Sequence, residues 1–136
     1  MVSTKKKVSM IASMVIVLGL LTCVWAVDII INIKVSPNVL NIGSKGEVVT
    51  VHTDIAYSAV VGSTVTLNGV EISHWKSDDR GNFVAKFLME EIKALFDPEK
   101  LEGGKLCTLT LTGNTGDYKT FSGSQDILVV NKIPRK

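Results

Sequence analysis

Short runs of alternating apolar and polar residues, each broken by turn chemistry, recur along this chain from Ile29 to Val130. The clearest comes first: Ile29, Ile31, Ile33 and Val35 fall on one side, and Asp28, Asn32 and Lys34 on the other. Successive side chains of a strand point to opposite faces, so the pattern predicts a strand with one buried side. Ser36-Pro37-Asn38 ends it. Val39–Ile42 follows, then a Gly43–Gly46 turn, then the β-branched run Glu47–Thr53. Thr64–Leu67 leads into Asn68-Gly69, a hairpin signal because both residues tolerate positive φ, and Val70–Trp75 returns. A polar loop at Lys76–Asn82 precedes strands at Phe83–Leu88, Leu106–Gly113, Thr120–Phe121 and Ile127–Val130. One segment has helical spacing, Met89–Phe96, with Met89, Ile92, Leu95 and Phe96 apolar and Asp97-Pro98 closing it. The pattern predicts an all-β fold: a two-sheet antiparallel immunoglobulin-like sandwich with one short crossover helix.

Ahead of this pattern stands a different one. Lys5-Lys6-Lys7 precedes a continuous apolar run from Val8 to Trp25, and Val24-Trp25-Ala26 offers the side chains a signal peptidase accepts. Residues 1–26 therefore read as a signal peptide and 27–136 as the β-sandwich domain. The expected location is outside the cytoplasm, extracellular or at the cell surface. Two rival readings stay open. Leu20-Leu21-Thr22-Cys23 loosely imitates a lipoprotein box, and Val8 to Val27, about 20 residues, would suffice as an uncleaved membrane anchor. Cleavage after Ala26 leaves 110 of the 136 residues, enough for one domain with one core. Three of the 15 basic residues leave with the signal, so 12 remain against 13 acidic ones. That balance, with no basic stripe except the short Lys132–Lys136 tail, gives no nucleic-acid footprint. Cys23 lies in the signal, which leaves Cys107 as a single thiol with no disulfide partner; in the alternating run Leu106–Thr112 it reads as a small structural side chain.

The segments also resemble a known pattern. Leu40-Asn41-Ile42-x-Ser44-Lys45-Gly46, Val65-x-Leu67-Asn68-Gly69-Val70, Lys86-Phe87, Leu109-x-Leu111-x-Gly113, and Phe121-x-Gly123-Ser124 with Ile127-x-Val129 occur in this order. Together they resemble an immunoglobulin-like β-sandwich repeat of exported bacterial and archaeal cell-surface proteins, often found with dockerin-like modules. The match spans nearly all of residues 29–131. The resemblance implies a non-catalytic extracellular module and carries over no defined ligand. This chain departs from the pattern in two acidic places. Asp79 stands where the family's Asp-Gly-x-x-Asp loop has glycine, and Asn82 stands at its second aspartate. Gln125 replaces the aspartate after Gly-Ser, with Asp126 displaced by one.

Several constellations are candidates for chemistry. Asp78, Asp79 and Asn82 offer hard oxygen ligands suited to calcium, although a calcium site needs about 6–8 oxygens and a polar turn uses the same residues. His52, His74 and Cys107 lack the paired spacing of a zinc site. Ser73-His74-Trp75-Lys76 satisfies Ser-x-x-Lys in letters only, and no other catalytic motif is present, so no enzyme is expected. Trp75, Tyr57 and Tyr118 are possible glycan platforms, while Trp75 reads more simply as the central core aromatic; Phe83 and Phe87 read as core. The strand carrying Ile29, Ile31, Ile33 and Val35 could complete a neighbour's sheet, as filament subunits do, or pair within its own domain. The expected function is a non-catalytic exported module that binds an extracellular or cell-surface protein or glycan as a monomer, with adhesion as its expected role. A self-assembling subunit and a calcium- or glycan-binding accessory domain are the alternatives.

Overall fold

The computed structural model describes residues 28–132; the predicted signal peptide and its Cys23 lie outside the described residues. The chain runs through β1 (Asp28–Ile30), β2 (Ile33–Ser36), β3 (Val39–Asn41), β4 (Val48–Ala56) and β5 (Val60–Leu67). It continues through β6 (Val70–Glu71), β7 (His74–Ser77), β8 (Asn82–Leu88), the short helix α1 (Met89–Lys93), β9 (Lys105–Thr115) and β10 (Thr120–Val130). Single 3-10 turns at Tyr57–Ala59 and Pro98–Lys100 complete the described elements. Two sheets form. In the larger, β10, β9, β5 and β6 pair in that order, and β1 and β3 both lie parallel to β10 on its other side. In the smaller, the order is β2-β4-β8-β7, antiparallel throughout. The fold is the two-sheet sandwich with one short crossover helix that the alternation predicts.

Strand parity explains the core. Phe83, Ala85 and Phe87 of β8 and Val49 and Val51 of β4 turn inward from the smaller sheet. Leu109, Leu111, Phe121, Ile127 and Val129 meet them from β9 and β10. Each of these Val, Leu, Ile and Phe side chains contributes about 1.5–3 kcal/mol when fully buried. Helix α1 carries the chain from one sheet to the other with Met89 and Ile92 buried. Its N-terminus is tied by Met89 N–H to Glu47 O at 3.0 Å, and the Lys93 ammonium donates to Ser44 O. The predicted helical stretch to Phe96 ends as tight turns, with Leu95 N–H on Ile92 O and Phe96 N–H on Lys93 O. Cys107 is half-buried against the core and unbonded to another cysteine, the structural role its position predicts.

Two expected strands each prove to be two. The run from Ile29 to Val35 belongs to the larger sheet as β1 and to the smaller as β2. Ile31 N–H still bonds Ser122 O of β10 (2.9 Å), and the chain then crosses over Gly123, where a Cβ would lie 2.6 Å from Ile31 O. Asn32 holds the crossing: its backbone N–H donates to Asp54 Oδ1 (3.0 Å) and its side-chain amide to Asp54 Oδ2 (2.9 Å). The stretch Val70–Trp75 divides in the same way. Ile72 N–H is the last donor to the larger sheet, on Val65 O, and Ser73 N–H the first to the smaller, on Lys86 O. The hairpin before it is as read, with Asn68 at φ 48° and Gly69 at φ 86°. Conversely, Thr120–Phe121 and Ile127–Val130 are the ends of one continuous strand, β10. Its polar middle is explained by parity: Ser122, Ser124 and Asp126 face outward, and Gln125 faces inward to accept Val35 N–H on Oε1 at 2.8 Å.

Candidate functional site

The acidic loop predicted for calcium is the turn of the β7–β8 hairpin. Asp78 Oδ1 accepts the backbone N–H groups of Arg80 (2.8 Å) and Asn82 (2.9 Å). The Asp78 main chain bonds Asn82 O and Gly81 N–H, with Gly81 at φ 83°. The N–H donated by Asn82, and then that of Arg80, hold the Asp78 carboxyl below the usual carboxylate range. The structure thus brings Asp78 and Asn82 together as a turn brace, with Asp79 exposed beside them. Among the described residues, no group of three or more His, Cys, Asp or Glu is placed to hold a metal ion.

The four residues of the proposed assembly strand face inward. Ile31 and Val35 are buried, and Ile29 and Ile33 pack against the core from β1 and β2. They share a face but not a strand, because the crossover at Asn32 separates them. Of the segment's apolar residues, Ile30 alone points outward, 77% exposed.

The aromatic candidates do not form one platform. Trp75 is not the central core aromatic: it sits on the edge strand β7, 37% exposed, and its indole lies over Gly62 of β5, closing the open edge between the sheets. A Cβ at residue 62 would come within 2.1 Å of the ring. Three phenylalanines, Phe83, Phe87 and Phe121, fill the centre instead. Tyr57 stacks on Phe83 with ring centroids 6.3 Å apart. Tyr118 stands in the β9–β10 turn at φ 67°, 97% exposed.

What the structure assembles most fully are two broad outer faces. On the larger sheet, hydroxyls meet across the strands: Thr66 with Thr112 (3.1 Å), Thr110 with Ser124 (2.8 Å), and Thr108 donating to Asp126 (2.6 Å). One end of that face is apolar, where Val39, Leu128 and Leu106 lie side by side in register, Leu106 being 67% exposed. On the smaller sheet, register places Lys34 beside His52, His52 beside Val84, and Val84 beside Lys76. The adjacent row runs Ser36, Thr50, Lys86, His74. Three lysines and both histidines of the chain therefore share one outward face. Val84 is fully buried there although its parity turns it outward.

This cationic face corrects the expectation that the chain has no basic stripe beyond its C-terminal tail. No linear scan reveals it, since its residues come from four strands between Lys34 and Lys86. The signal that could find it is parity: each of these side chains occupies the polar phase of its strand's alternation. In comparisons with known proteins, no family, no curated protein and no solved structure matches the chain significantly.

Proposed function

We propose that the protein is an exported, non-catalytic β-sandwich module that acts by displaying its outer sheet faces to an extracellular or cell-surface partner. The observation that carries this reading is the division of chemistry between those faces: hydroxyls with an apolar end on one sheet, lysines and histidines on the other. A rigid sandwich holds such arrays at fixed spacing, about 4.8 Å between strands and about 6.8 Å between alternate residues along a strand. That geometry suits recognition of an extended surface better than enclosure of a small substrate. The basic cluster, apolar run and small-residue site of residues 1–26 supply the export half of the reading, and the resemblance to surface-protein sandwich repeats agrees with it.

The test is fractionation of producing cells with intact-mass analysis. The reading predicts a species beginning at Val27 outside the cytoplasm. A full-length chain retained in the cytoplasm would refute the export half, and a lipid-modified species beginning at Cys23 would replace the free module with a tethered one.

A further inference from the structure

We infer that the outer face of the smaller sheet is a binding surface for a linear acidic polysaccharide, with Lys34, Lys76 and Lys86 as its anionic-group contacts. The inference rests on the exported-module reading and names the partner of one of its faces. The first support is charge. A domain with slightly more acids than bases gathers three lysines and two histidines on one side of four strands. Neither of the two ion pairs among the described residues, Lys93–Glu90 and Lys119–Asp117, involves them.

The acidic groups bordering the face, Asp54, Asp78 and the exposed Asp79, lie toward its β7–β8 hairpin end. Asp54 is held by Asn32, and Asp78, which also feels the charge of His52, is held by the N–H groups of the hairpin turn. None of the three ammonium groups is ion-paired to these carboxylates among the described residues, so each can attract an anion from outside, and attraction of this kind adds across a face.

The second support is shape. Lys34 and Lys76 lie three strand spacings apart, roughly 14 Å, and Lys86 lies in the next row, about 7 Å along. So spread an array cannot converge on one small anion, but it matches charges repeating along an extended chain. Thr50 beside Lys86, and Ser36 next along β2 from Lys34, offer hydroxyl partners for sugar hydroxyls. The basic rows expose no apolar side chain for insertion into a bilayer, since Val84 is covered and the exposed Leu88 lies beyond them beside Val48. They hold no aromatic ring for base stacking, because Trp75 faces inward on Gly62. Carbohydrate therefore fits better than membrane or nucleic acid.

The test uses the isolated protein in affinity electrophoresis and titration calorimetry. The probes are polygalacturonate, neutral dextran, double-stranded DNA, and vesicles of phosphatidylglycerol. Binding to polygalacturonate but not dextran is expected, weakening about tenfold between about 50 and 200 mM salt, in keeping with release of a few counterions. The triple variant Lys34→Glu/Lys76→Glu/Lys86→Glu should lose binding at least tenfold while keeping the parent's circular dichroism and melting. Lys105→Glu, on the other sheet, should bind as the parent does. Should the triple variant misfold, the Lys→Gln triple with the same readouts replaces it. Equal binding by parent and triple variant, no binding to polygalacturonate, or tighter binding to DNA or vesicles would each overturn the inference. These outcomes are read on isolated protein, so they are independent of fractionation, and either reading can fail alone.

Discussion

Single residues decide where this sandwich closes. Gly62 does so by absence, because the indole of Trp75 occupies the space that any side chain there would need. Gly62→Val should displace the ring and cost about 1–3 kcal/mol, the usual range for forced overpacking. The readouts are a lower melting temperature and a red-shifted tryptophan emission, unambiguous once Trp25 has left with the signal; unchanged emission would mean that Trp75 does not cover Gly62. Asp54 decides by bonding. The backbone N–H of Asn32, and then its side-chain amide, hold the Asp54 carboxyl below the ordinary carboxylate range. A depressed folded pKa stabilises fully above the unfolded value of about 4 and is lost as pH falls through the folded value. Melting temperature should therefore fall on acidification below about pH 4, and less steeply in Asp54→Asn. Since the pair is exposed, its loss at neutral pH should cost only about 1 kcal/mol.

At the scale of elements, period and turn chemistry made most strands legible, and the sheet assignment of two of them illegible. Asn68-Gly69, the β-branched Val48–Val51 and the Phe83/Phe87 spacing each point to one local answer, and each is found. The hops at Asn32 and at Ser73 are not local facts. In the first run both halves keep the same inward parity, so alternation continues unbroken while the hydrogen-bond partner changes from β10 to β4. In the second the phase slips at Ser73, from Val70 and Ile72 inward to Trp75 inward, as the partner changes from β5 to β8. Trp75 is no central core aromatic for a related non-local reason: its parity is inward, but β7 is an edge strand, and an edge leaves an inward ring half uncovered. The β7–β8 hairpin shows how a turn can imitate a metal loop. Asp78 caps its own turn with one carboxylate oxygen, so Asp78→Ala should lower the melting temperature with calcium absent. Adding calcium or chelator should move the parent by less than the mutation does. A rise of several degrees with calcium, abolished in Asp78→Ala, would establish a calcium site instead.

For the whole molecule, the outer faces were the least legible part, because a face is a sum over strands far apart in sequence. Lys34, Lys76 and Lys86 become neighbours only through the registers of β2, β4, β8 and β7. The N-terminal segment joins all scales. Its inward residues Ile29, Ile31, Ile33 and Val35 occupy both sheets of their own domain, and Gln125 of β10 ties the two sheets together by accepting Val35 N–H. Among the described residues this segment is covered within its own chain, as the independent-module reading expects and the donor-strand reading does not. Deleting residues 27–35 would remove parts of both sheets and should unfold the domain. The most direct measurement is multi-angle light scattering of the protein lacking residues 1–26, at micromolar concentration, with electron microscopy of the same sample. A self-completed module predicts the mass of one chain and empty fields; regular fibres, shortened by a synthetic peptide copy of residues 27–35, would contradict it.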